Sequence, residues 1–272
     1  MKKFYSQHFQ DLFIYRNFIN QNNNGIFVEI GAFDGINHSN TKFFEDYLGF
    51  TGMLVEANPM LYNLCKINRP NCICHNFAIS NDKGELNFSV PLSSSEYNDA
   101  PIKEMGGLTD TLVENCFGIN TKYDNFSVTG IPFYSILNTT IYNYIDIFFI
   151  DVEGGELGVL KTIDWNIKIY IICIEFLGNN LEDEEKCKNI LKNNGFELEY
   201  ELSINHIYIN KNNKRENIYK KEDKDILFNK LTYNPITNLS ENNQGIFTQN
   251  FDGWWTMIYN SIKEYENIDV LI

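Results

Sequence analysis

The stretch FVEIGAFDGINHSN, residues 27–40, with GFTGMLVEANP following at 49–59, decides the fold. An apolar run closes at Ile30, a turn carries Gly31 and Gly35, and a second apolar run closes at Glu56. Short runs rich in β-branched and aromatic residues read as strands buried on both faces, and the longer mixed segments between them read as helices. Working outward on that rule places strands at 26–30, 52–56, 73–78, 146–151 and 170–175, and helices at 39–48, 60–68, 156–163 and 182–194. Gly195 is suited to cap the last helix in a left-handed conformation, after which strands at 196–202 and 206–209 form an antiparallel hairpin on the sheet edge. The alternation predicts an α/β fold with a doubly wound sheet, mostly parallel with an antiparallel edge.

A chain of 272 residues can bury a full core, and the pattern divides it into three parts. These are a helical lead-in over 1–24, the main domain over 25–210, and a charged insertion with a C-terminal annex over 211–272. Within the main domain, residues 92–143 contain SSS, MGG and TGIP with little periodicity, so a long loop is expected there; such loops often select a substrate. A formal charge of -14 repels phosphate backbones and anionic lipid, so nucleic acid is not an expected partner. The stretch NKNNKRENIYKKEDKDILFNK, residues 210–230, has a local excess of lysine and reads as a solvated insertion in preference to a site for an acidic partner. Six cysteines and four histidines show no metal-ligand spacing. The start, MKKFYSQHFQDLF, lacks the apolar core of a signal peptide, and the most apolar stretches, 145–150 and 167–176, are too short to span a bilayer. The expectation is a soluble protein of the cytoplasm with reduced thiols; oligomeric state is not legible.

Ligands of doubly wound sheets bind at the carboxyl ends of the strands, where strand order reverses. Gly31 and Gly35 let the backbone approach a ligand there, and Asp34 brings polar atoms to the same crevice. Glu56, at the end of the second strand, is placed to accept hydrogen bonds from both hydroxyls of a ribose. An adenosine compound is therefore expected. The turn G-A-F-D-G lacks the second glycine that admits a pyrophosphate, and Asp34 adds negative charge where phosphates would sit. A cationic ligand suits it better, and S-adenosylmethionine carries a sulfonium and an ammonium that Glu29 and Asp34 can favour. The alternative is a strand-turn-helix that uses glycine for geometry alone.

The stretch YIDIFFIDVEGGELGVLKTIDW, residues 144–165, adds a second constellation. Asp151, Glu153 and Glu156 gather at one strand terminus, where repulsion and desolvation must be offset by water, pairing or use. Glu156 also fits the first turn of the next helix, where the macrodipole favours an acid.

In order and spacing, VEIGAFDG, SNTKFFE, GFTGMLVEANP, NRP, NFAIS and IDVEGGELGVLKTIDW resemble the FkbM-type methyltransferases over residues 25–175, with weaker similarity through INHIYIN. The resemblance implies a class I, Rossmann-like methyltransferase domain that uses S-adenosylmethionine. It implies cofactor contacts from Glu29, Gly31, Asp34 and Gly35, with Ser39 and Asn40 closing the methionine end. Glu56 would hold the ribose, Ala57 and Asn58 would line the adenine, and Asn76 and Ala78 would mark its far side. Asp151 would face the transferred methyl group, and members methylate hydroxyls of sugars or polyketide products.

A sugar hydroxyl is a poor nucleophile, so a positioned base is expected; Asp151 is the first candidate and Glu153 the second. Oxygen ligands of this kind suit magnesium, but no separate ligand set is legible and no metal is predicted. Glu175 reads either as an acceptor contact or as a structural hydrogen-bond partner. His38 reads as a solvated loop residue, and His75 lacks a catalytic partner. Trp254 and Trp255, in FDGWW, either stack on a sugar face or pack an annex core. Two other classes of function remain open at this point. A nicotinamide-dependent dehydrogenase would use the same crevice but requires a pyrophosphate-compatible glycine loop, and a non-catalytic binding module would keep the fold without a working acceptor site.

Overall fold

The computed structural model describes residues 3–19, 24–95, 98–101, 105–112, 121–140, 142–178, 180–213 and 215. Tyr5–Tyr219 forms one compact unit, and Met1–Phe4 with Lys220–Ile272 forms another. The elements below belong to the first unit. Trp254, Trp255 and residues 216–230 of the charged insertion lie outside the described residues.

In chain order the elements begin with α1 (Gln10–Phe18), β1 (Ile26–Ile30), α2 (Lys42–Leu48), β2 (Thr51–Val55), α3 (Pro59–Asn68), β3 (Ile73–His75), β4 (Ala78–Ile79) and β5 (Gly84–Ser95). They continue with β6 (Asn98–Pro101), β7 (Gly107–Leu108), β8 (Tyr123–Ile131), α4 (Phe133–Leu137), β9 (Tyr144–Ile150), α5 (Glu156–Lys161), β10 (Lys168–Glu175), α6 (Leu181–Asn193), β11 (Phe196–Leu202) and β12 (Asn205–Asn210). The main sheet runs β11-β12-β10-β9-β1-β2-β3, parallel from β10 to β3 and antiparallel at the β11–β12 edge. Strand order reverses between β1 and β9.

Alternation along the strands explains why both faces are covered. Val28, Ile30, Phe148 and Ile150 point to one face and pack with Val159 and Leu160 of α5 and Leu191 of α6. Phe27 and Phe149 point to the other, where the Phe44 ring lies 6.4 Å from Phe149 and the Arg69 guanidinium 5.3 Å from the Phe27 ring. A sheet buried on both sides has no use for alternating polar residues, which is why these strands read as continuous apolar runs. α6 ends as expected, with Gly195 at φ +85°.

Two expectations change. The strand expected over 73–78 splits, because the Asn76 amide donates to both Glu56 O and Ala57 O, each at 2.8 Å, and turns the chain out of the main sheet. Ala78 instead pairs with Gly130 in a second sheet of order β4-β8-β5-β6, with β7 also on β5. That sheet also occupies much of the 92–143 region read as a long loop. One face of β8 is polar, as its exposed positions show, and among the described residues Phe88, Val90 and Val128 join Ala78 in a small core against which Leu86, Leu108 and Phe126 pack. Among the described residues, no helix is long and apolar enough to cross a membrane.

Candidate active site

Register across the main sheet assembles the site. Ile30 is level with Val55 and Ile150, Ile150 with Ile174, and Val55 with His75, while Glu175 pairs with Asn205. The next residue of each parallel strand therefore stands in one row along the carboxyl edge: Asn76, Glu56, Gly31, Asp151 and Glu175, with Asn205 at its end. Residues level in a sheet present side chains to the same face. Five polar side chains from five strands thus share one edge on either side of the point where strand order reverses, where crevices form.

Gly31 lets this row close. Its φ is +85°, and a Cβ there would lie 1.7 Å from the Asp151 carbonyl oxygen. Gly31 N and Ala32 N both donate to Val55 O, and Asp151 N donates to Ile30 O. The turn beyond is held from beneath by Glu29, one rung back and 1 % exposed. Its carboxylate accepts from Ser39 Oγ at 3.0 Å, Asn40 N at 2.6 Å and Thr41 Oγ1 at 2.5 Å. Burial raises the Glu29 carboxyl while the Arg69 charge and these donors oppose the shift. Glu29, Ser39 and Asn40 therefore act together as the anchor of the loop. Asp34 likewise serves the loop's shape, accepting from Ile36 N, Asn37 N and Asn37 Nδ2, and Gly35 at φ +81° lies against α3 and Arg69.

Arg69, absent from the sequence-based candidates, is the hub of this anchor. It is fully buried, pairs with Glu45, and donates to Gly35 O, Ser39 Oγ and Thr41 Oγ1. The only signal for it was its place in NRP.

Glu56 caps the second strand with its carboxylate toward the loop. One oxygen accepts from Phe33 N at 2.9 Å and the other from Asn58 N at 2.8 Å, and the Ala57 N–H also faces the carboxylate. Burial pushes this carboxyl up to about 7, against the hydrogen bonds from Asn58 and Phe33. Asn58 caps α3 by accepting from Met60 N, and Ala57 packs against the small core around Ala78 and Phe88. Beside Glu56, therefore, the chain packs on the small core of the second sheet.

On the other side of Gly31, ligand atoms of Asp151, Glu153 and Glu175 lie within 4.8 Å of one another. Asp151 and Glu175 share a hydrogen bond. Burial and then the adjacent Asp151 charge drive the Glu175 carboxyl far upward, which suits one proton shared across the hydrogen bond of this pair. Burial also raises Asp151, while the hydrogen bond and His38 favour its ionised form. Glu153 is pushed up to about 8 by burial and by Asp151 and Glu156. It adopts φ +54°, which the next turn stabilises: Glu156 Oε1 accepts from Val152 N and Gly154 N. The second sheet reaches this cluster too, since a Cβ at Gly107 would lie 3.2 Å from Glu153 O. His75 closes β3 half-buried, with its Nε2 unpartnered among the described residues.

A family model for the methyltransferase FkbM domain matches residues 29–202, more than half of the chain. No curated protein matches it. Similar solved structures include a TehB-like SAM-dependent methyltransferase from Corynebacterium glutamicum, at 10% identity over 69% of this chain and 80% of that one, with a TM-score of 0.37. Methyltransferase FkbM from Methylobacillus flagellatus is 12% identical over 68% of this chain and 43% of its own, with a TM-score of 0.40. Aeropyrum pernix fibrillarin, solved with natively bound S-adenosyl-L-methionine, is 10% identical over 75% of this chain and 73% of its own, with a TM-score of 0.40.

Proposed function

The chain belongs to the FkbM methyltransferase family, and from that premise we propose that it is an S-adenosylmethionine-dependent O-methyltransferase acting on a hydroxyl of a sugar or glycan. The observation that carries this reading is the row at the carboxyl edge, in which Glu56 and Asp151 flank Gly31. The donor set fits the cofactor: the Glu56 carboxylate is the acceptor placed for the ribose hydroxyls, Ala57 and the small core would lie toward the adenine, and the acidic edge suits a cation. Family membership removes the nicotinamide alternative.

The bound cofactor would supply an electrophilic methyl group and leave as the neutral thioether S-adenosylhomocysteine. The protein's part is to hold the acceptor oxygen in line, which can contribute roughly 7–11 kcal/mol. Asp151 takes the hydroxyl proton as the new C–O bond forms, a role worth about 100- to 10,000-fold. Glu175 keeps Asp151 oriented through their shared hydrogen bond, and Glu153 lines the same cluster. The second sheet, which reaches Glu153 at Gly107, would bound the acceptor side and help select the acceptor. The net charge of -14 supports a neutral or cationic acceptor over a nucleic acid. The protein would work in the cytoplasm.

The test is transfer of labelled methyl from S-adenosylmethionine to a panel of glycosides. We expect incorporation by the wild type and a loss of at least about 100-fold in Asp151→Asn. Full activity in that variant removes Asp151 as the base.

A further inference from the structure

Asn205 stands at the end of the catalytic row and has no assigned task. It opens β12 directly opposite Glu175, 3 % exposed, and its Nδ2 has no hydrogen-bond partner among the described residues. A buried donor left unmade costs about 1–3 kcal/mol, which a hydroxyl arriving at this corner of the site would recover. Directly opposed residues of an antiparallel ladder have neighbouring side chains on one face. The unpaired donor therefore lies beside the Asp151–Glu175 pair and not on the sheet's other side.

Resting on the hydroxyl-acceptor reading above, we infer that Asn205 is an acceptor-positioning residue and that the acceptor is a vicinal diol. A hydroxyl is the group that both accepts and donates, and this corner of the site offers both complements. One hydroxyl takes the Asn205 Nδ2–H and gives its own proton to a Glu175 oxygen. The adjacent hydroxyl then meets Asp151, whose carboxyl is hydrogen-bonded to that of Glu175. The second hydroxyl is not methylated; it fixes which oxygen reaches the base. A lone alcohol would leave Nδ2 unpaired and be held less well.

The probes are methyl glycosides of mannose and galactose and their monodeoxy analogues lacking the hydroxyl next to the methylated one. The wild type should favour diol over monodeoxy glycoside by at least about tenfold in kcat/KM, a comparison that requires no variant. Asn205→Leu should lose that preference mainly through a higher KM for the diol, keeping its affinity for S-adenosylmethionine and its KM for the monodeoxy compound. Equal wild-type kcat/KM on the two classes overturns the inference, as does a preference that survives in Asn205→Leu. If the wild type binds S-adenosylmethionine but methylates none of the glycosides, the sugar reading itself fails and takes this inference with it.

Discussion

Replacing Arg69 with methionine should disable the cofactor loop by removing its anchor. Arg69 is fully buried and faces Glu45 and the buried Glu29, with further bonds to Gly35 O, Ser39 Oγ and Thr41 Oγ1. Arg69→Met keeps the aliphatic length but leaves the buried Glu29 without its cation and Glu45 with Lys42 alone, 3.6 Å away. Breaking a buried pair by removing one partner costs about 3–5 kcal/mol, a large share of the 5–15 kcal/mol that holds a typical domain together. Urea unfolding followed by far-UV circular dichroism should show the midpoint falling with an unchanged slope. Adding Glu45→Gln should restore part of the loss, up to about 1 kcal/mol, because a carboxylate left with only the more distant Lys42 disappears. A loss below about 1 kcal/mol in Arg69→Met, or no recovery in the double variant, would refute the anchor.

Other consequences are equally direct. Gly31→Ala forces a side chain into a left-handed position and against Asp151 O, so it should cost more than about 1–2 kcal/mol in stability and abolish cofactor binding; a variant that binds normally contradicts the packing of this row. In the folded protein Glu56 and Glu156 titrate near 7 and Glu153 near 8, all above the ordinary 4.5. The stability linked to them is full below about 4.5 and is lost as pH rises through 7–8, on the order of 3 kcal/mol for Glu56 alone. The ligand-free protein should therefore melt lower at pH 8.5 than at pH 5, and a melting temperature that rises over that interval contradicts the burial of these acids. Methyl transfer should have an acidic limb above the ordinary aspartate value of 3.8, since burial raises Asp151; a rate flat from pH 4 to 7 excludes a carboxylate base.

The main sheet was legible because burial on both faces leaves a direct mark: β1, β9 and β10 are almost wholly apolar until the residue that meets the ligand crevice. The small sheet left no such mark. One face of β8 and the start of β5 are open to water, and serine, asparagine and threonine in those strands resemble a loop. Asn76 shows how one side chain can redirect a strand that its flanking apolar residues would otherwise continue. Glu29 and Asp34 were legible as loop acids, but their tasks were not, because a carboxylate that supports a turn and one that meets a cation look alike in a sequence. Arg69 and Asn205 become significant only through contacts and register far along the chain.

The most direct test of the account is calorimetric titration of S-adenosylmethionine into the wild type and Glu56→Ala. The row at the carboxyl edge predicts micromolar binding by the wild type and a loss of about 1–3 kcal/mol in the variant, whose ribose hydroxyls lose their acceptor. No binding by the wild type, or the same affinity in both proteins, would contradict the placement of the cofactor at Glu56.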